Sequence, residues 1–205
     1  MQWSAIVPVK ASTTAKSRLQ TNAAWRAELS RAFLQDALFA LMNCDQVTRI
    51  LIVTDDADLA LQLDPSIELT VIESIGLNED LAIGLKRLGT QPSAIVTGDL
   101  PCLTPASVSA ALTLAAQYDR SFVSDAQGVG TTMLLNQDAS QCTPMFGVRS
   151  HAKHAAAGFQ EIVSEDPAVN ALLTLDRRDV DTAVDLWDAR RLGIGAATSA
   201  LLDDL

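Results

Sequence analysis

Apolar and polar positions follow two rhythms along this chain. Short apolar runs at Ala5–Val9, Val47–Thr54, Leu69–Ile72 and Ser93–Thr97 read as strands buried on both faces. Between them the apolar positions recur every three to four residues. Leu29, Phe33, Leu34, Ala37, Leu38 and Leu41 predict a helix over Trp25–Leu41. Asp55, Asp56 and Asp58 supply helix-start chemistry for a short helix ending near Leu63, and Glu79–Leu88 predicts another. Thr104 before Pro105 gives a cap and a first-turn proline, opening a helix to about Gln117. This alternation predicts an α/β chain, with a mostly parallel sheet covered by helices on both faces as a three-layer sandwich.

The second half changes rhythm. Arg120–Ser124 and Thr131–Leu135 are apolar runs joined by Asp125–Gly130, with no room for a helix between them. They predict an antiparallel or mixed extension at the edge of the sheet. Ser150–Gln160 reads as a helix capped by Ser150, Glu161–Ser164 as an edge strand, and Asp166-Pro167 as the start of a further helix. Asp179-Val180-Asp181 leads into a helix over Thr182–Leu192, and the tail after Gly193 is expected to be loosely held. No repeat, linker or low-complexity stretch divides residues 1–205, so a single domain is the economical reading.

Composition narrows the function classes. Twenty-five acidic against fifteen basic residues give a formal charge of −10, which argues against a nucleic-acid or anionic-membrane surface. No apolar run approaches the roughly 20 residues of a membrane span, and the first residues lack a signal-peptide pattern. Cys44, Cys102 and Cys142 are odd in number and widely spaced, as reduced thiols of a cytoplasmic protein would be. Against the acidic background, no Asp or Glu precedes Glu28, whereas Lys10, Lys16, Arg18 and Arg26 do. Small hydroxyls among fixed positive charges at a strand end suit a polyphosphate, although a basic surface loop would look the same.

Several further positions carry chemistry, each beside a plainer explanation. The first glycine is Gly76, which excludes a P-loop or dinucleotide fingerprint at the first strand–helix turn. Asp99 follows the fourth strand, where an open sheet binds ligands, and suits either Mg²⁺ or a local turn. Asp179 and Asp181 would share one face of an extended segment as further metal contacts, unless Asp181 or Thr182 merely caps the next helix. Gly128–Thr132 suits close approach of an anion or a simple hairpin turn. Ser150, Arg149, Lys153, His151 and His154 suit an anion at a helix N-terminus, or two solvated histidines; a zinc site lacks further ligands at suitable spacing.

Six segments taken in order add a resemblance: Val7-Pro8-Val9-Lys10 with Ala15-Lys16-Ser17-Arg18-Leu19, Gly76-Leu77-Asn78, Gly98-Asp99-Leu100-Pro101, Gly130-Thr131-Thr132, Phe146-Gly147 with Ser150 and His154, and Asp179-Val180-Asp181-Thr182. Spread over residues 4–192, this pattern resembles the 2-phospho-L-lactate guanylyltransferase family of coenzyme F-420 biosynthesis, with its phosphoenolpyruvate and phosphoglycerate relatives. The resemblance implies a glycosyltransferase-A-like nucleotidyltransferase fold and transfer of GMP from GTP to a small phosphorylated acid. It implies that Lys10, Lys16 and Arg18 hold the GTP phosphates, with Val7, Pro8 and Gly98 beside the nucleotide and Asn78 near the guanine. Asp99 would bind Mg²⁺, with Asp179 and Asp181 as candidate further ligands, and Thr131, Thr132, Gly147 and Ser150 would seat the acceptor, His154 close by. Two departures stand out: Ala11 where a proline is usual after the lysine, and Glu79-Asp80 adding charge beside the base pocket. A molybdopterin-type nucleotidyltransferase and a noncatalytic GTP sensor are the alternatives; the former lacks its glycine-rich first loop here. The acceptor's identity and the choice between monomer and homodimer are left open by the sequence.

Overall fold

The computed structural model describes residues 1–10 and 23–203. The expected Lys16 and Arg18 contacts lie outside the described residues. Strand β1 (Trp3–Val9) is followed by α1 (Ala23–Met42), β2 (Val47–Thr54), a 3₁₀ turn at Ala57–Gln62, β3 (Glu68–Val71), α2 (Leu77–Leu88), β4 (Ser93–Val96) and α3 (Pro105–Ala115). Each apolar run forms the expected strand because its residues serve both faces. Trp3, Ala5 and Val7 of β1 enter one core with α1 and α3, while Ile6 enters another with Leu81, Leu85 and Leu88 of α2. The result is the expected three-layer sandwich.

The remaining elements are β5 (Arg120–Ser124), β6 (Thr131–Asn136), α4 (Ser150–Ala156), β7 (Gln160–Glu161), α5 (Pro167–Asp176), α6 (Ala183–Leu192) and α7 (Ala196–Asp203). The sheet order is β3-β2-β1-β4-β6-β5-β7. Among the described strands β6 alone runs against the rest, antiparallel to both β4 and β5. The β5–β6 pair thus forms the expected mixed extension of the parallel sheet beyond β4. β6 is inserted next to β4 and wholly buried, and the outer edge belongs to the short β7, parallel to β5.

The tail departs from expectation. Ala196–Asp203 form α7, docked on α1 through the buried Asp36, whose carboxylate accepts hydrogen bonds from the Ala197 (2.9 Å) and Thr198 (3.0 Å) amides. Asp36 thus caps a helix 161 positions further along the chain. Among the described residues no helix is long and apolar enough to cross a membrane.

Candidate functional site

Strand order reverses between β1 and β4, since β2 and β3 extend the sheet to one side of β1 and β4 lies on the other. Such a switch point leaves a crevice beyond the carboxyl ends of the strands. Ile6 pairs with Ile95 in parallel register, so Lys10 after β1 and Asp99 after β4 follow the same ends of neighbouring strands. Both line one cleft of about 270 Å³ with Pro8, Val9, Ser30, Leu34, Leu77, Thr97 and Gly98. Lys10 is exposed where β1 leaves the core. The turn carrying Asp99 is held in place by Leu100, which is fully buried, and by buried Cys102 and Leu103. Ser30 and Leu34 come from α1 and carry no motif that would have marked them in the sequence.

The Asp179–Asp181 segment is brought against this turn, because the Val180 amide donates to the Asp99 carbonyl at 3.2 Å. Val180 is fully buried with Leu29, Phe33 and Ala189, and the partly exposed aspartates flank it. The two aspartates therefore stand on either side of a residue anchored in that core. The helix cap is Thr182, whose hydroxyl accepts from the Asp185 amide in a capping box, so Asp181 does not serve as the cap. Hard carboxylate oxygens suit Mg²⁺, which commonly takes one or two carboxylates together with water and phosphate oxygens. The donor set fits such an ion, while no group of three or more His, Cys, Asp or Glu side chains is gathered at metal-binding range among the described residues.

On the other side of the cleft, the Thr97 amide donates to the Thr132 carbonyl at 3.0 Å and sets the start of β6 beside Gly98-Asp99. The Asp125–Gly130 connection is a hairpin turn filled by its own carboxylate. Asp125 accepts from the Val129 (2.8 Å) and Gly130 (2.7 Å) amides, so those donors are already engaged. Gly130 permits this approach, since a Cβ there would collide with the Asp125 carboxylate. Thr131 and Thr132 are buried, the Thr132 hydroxyl donating to the Val123 carbonyl at 3.4 Å.

Helix α4 differs from its expected form. Its N-cap is Arg149, in the left-handed region at φ 58°, and Ser150 is the first helical residue, buried, with its amide donating to the Gly147 carbonyl. The helix stops at Ala156, short of Gln160, where Gly158 takes φ 84°. Asn78 has both ends of its amide engaged, accepting from the Phe146 amide at 2.7 Å and donating to the Phe146 carbonyl at 3.2 Å. Nearby, Asp80 is buried and accepts from Ser74 Oγ and the Ile75 amide, so its charge holds a turn of the β3–α2 loop.

Neither histidine is simply solvated. His151 is half-buried, its Nε2 3.1 Å from the Glu161 carboxylate. His154 is fully buried among Phe122, Phe146 and Phe159. Burial lowers its pKa from 6.5 to about 4, with help from Lys153 and His151. The folded protein thus resists a proton that the unfolded chain accepts. This contribution to stability is complete above pH 6.5 and is lost as pH falls toward 4, a change of up to about 3 kcal/mol. Thermal unfolding of the protein and of His154→Phe should therefore diverge over that range, the unsubstituted chain losing more stability on acidification. Parallel pH curves would refute this account.

The family model described as guanylyl transferase CofC like matches residues 3–188. A phosphoenolpyruvate guanylyltransferase of Streptomyces coelicolor is 38% identical over 209 residues, covering 98% of this chain and 96% of that protein. A crystal structure from Desulfovibrio desulfuricans G20, grouped with the nucleotide-diphospho-sugar transferases, superposes with a TM-score of 0.73 at 22% identity, covering 100% of this chain and 95% of that one. A 4-diphosphocytidyl-2C-methyl-D-erythritol synthase gives 0.62 at 11% identity, over 93% of this chain and 98% of the other. At these identities the two structures establish the nucleotidyltransferase-like fold alone.

Proposed function

The chain belongs to the CofC-like guanylyl transferase family, and from that premise we propose that it transfers GMP from GTP to phosphoenolpyruvate, releasing pyrophosphate, as a step of coenzyme F-420 biosynthesis. Residues 1–205 act as one nucleotidyltransferase domain in the cytoplasm; buried free Cys44, Cys102 and Cys142 suit a reducing compartment. The observation that carries this reading is the shared cleft of Lys10 and Asp99 at the switch point of the sheet.

The acceptor phosphate is the nucleophile. Its second pKa is about 6, so it is largely ionised near neutral pH and needs no general base to attack the α-phosphorus of GTP. The protein must place the two phosphates in line and offset their charge. Lys10 holds the triphosphate, joined by Lys16 and Arg18. Val7, Pro8 and Gly98 shape the floor beneath the nucleotide, with Asn78 on the guanine side. Asp99, Asp179 and Asp181 are the residues that would hold Mg²⁺, which when bound neutralises charge building up on the phosphate oxygens. Thr131, Thr132, Gly147 and Ser150 seat the acceptor acid, Gly147 from the loop before α4 and Ser150 from the first turn of α4.

Incubation with GTP, Mg²⁺ and a panel of phosphoenolpyruvate, 2-phospho-L-lactate and 3-phosphoglycerate, followed by pyrophosphate detection, tests this directly. Release is expected with phosphoenolpyruvate, and with GTP in preference to ATP, CTP or UTP. GTP binding with no release for any acid would instead favour the noncatalytic sensor. In the same assay Lys10→Ala should raise KM for GTP by about 10- to 100-fold, as loss of a charged phosphate contact does. The KM for the acceptor should change by no more than about threefold. An unchanged KM for GTP would remove Lys10 from the triphosphate site.

A further inference from the structure

We infer that His154 is a positioning residue for the acceptor, acting through the backbone of Met145 and the hydroxyl of Thr131 without touching the substrate. The Met145 amide donates to His154 Nε2 at 3.0 Å. An Nε2 that accepts leaves the ring proton on Nδ1, which stands 2.9 Å from Thr131 Oγ1. The ring therefore donates to Thr131, and the threonine O–H is left to donate elsewhere. The next residue is held from the other side, because Asn78 pairs with both the amide and the carbonyl of Phe146. Two consecutive residues are thus fixed by side chains from α4 and α2 immediately before Gly147, which takes φ 105° and begins the approach to Ser150.

The arrangement is more specific than core filling. A phenylalanine would occupy the same aromatic cage, formed with Phe122, Phe146 and Phe159 at centroid distances of 5.4–6.0 Å, yet would make neither hydrogen bond. The imidazole is the group that joins the loop before α4 to the first residue of β6. Movement of the loop away from α4 would leave the Met145 amide without its acceptor, while movement of α4 away from β6 would part His154 from Thr131. The inference rests on the assignment of Thr131, Gly147 and Ser150 to the acceptor.

The test compares His154→Phe, His154→Gln and Ser150→Ala in the full chain, with KM for GTP, KM for phosphoenolpyruvate and kcat measured separately. His154→Phe is expected to raise the acceptor KM about tenfold or more while KM for GTP stays within about twofold. His154→Gln keeps an oxygen acceptor for Met145 and should show a smaller rise, about threefold; it also serves if the phenylalanine variant does not fold. An acceptor KM unchanged by either histidine variant but raised by Ser150→Ala would overturn the positioning role and leave the acceptor seat standing. Unchanged values in all three variants would remove the seat, and the inference with it. A uniform fall in active protein, with kinetic constants preserved, would mark His154 as structural only.

Discussion

Asp99→Asn is expected to lower kcat by at least about 10³-fold while the fold persists, the loss expected when a preorganised charge facing a phosphoryl-transfer site is removed. The substitution keeps the shape of the side chain and removes its charge. The contact that ties this turn to the 179–181 segment is made by the Asp99 carbonyl, a main-chain group that survives the substitution. Leu100, Cys102 and Leu103 continue to anchor the turn from below. Loss of activity should therefore appear in pyrophosphate release with a nearly unchanged unfolding midpoint. Turnover at the unsubstituted rate would take Asp99 out of the mechanism.

The second large effect is on stability. Asp36→Ala should destabilise the protein by about 2–4 kcal/mol, because a buried charged acceptor serving two amides is lost and both donors are left unpaired. Thr198 is itself fully buried, so water cannot readily replace the carboxylate there. Gly195 packs so closely on Asp36 that any side chain at that position would overlap the carboxylate. For a chain of this size the midpoint should fall by about 5–15 °C. Asp36→Asn, retaining one oxygen acceptor, should fall less. A midpoint for Asp36→Ala within a degree of the unsubstituted protein would show that α7 does not depend on this cap.

Local chemistry made several elements legible. Val47–Thr54 was readable to the residue, because an apolar run with β-branched members, ending at paired aspartates, has few alternatives. Thr104-Pro105 and Asp166-Pro167 marked helix starts correctly, since a side-chain acceptor followed by a fixed φ acts within a single turn. The cap at Ser150 was misread for a related reason. Serine is a good N-cap, but a left-handed Arg149 already turns the chain, and Ser150 is drawn into the first helical turn and buried.

The order of segments along the chain determined the α/β class, the candidate cleft residues Lys10 and Asp99, and the family. Those depend on near-neighbour periodicity and on short motifs that hold their meaning wherever they fall. Tertiary structure decided the insertion of β6 between β4 and β5, the enclosure of His154 by three phenylalanines, the filling of the hairpin turn by Asp125, and the docking of α7 on Asp36. Apart from the hairpin turn and the Phe146 and Phe159 contacts of His154, each of these joins residues far apart in sequence. A strand's hydrogen bonds and a buried side chain's partners are settled by competition among every surface the folded chain brings together, and a local pattern records only that a partner is needed.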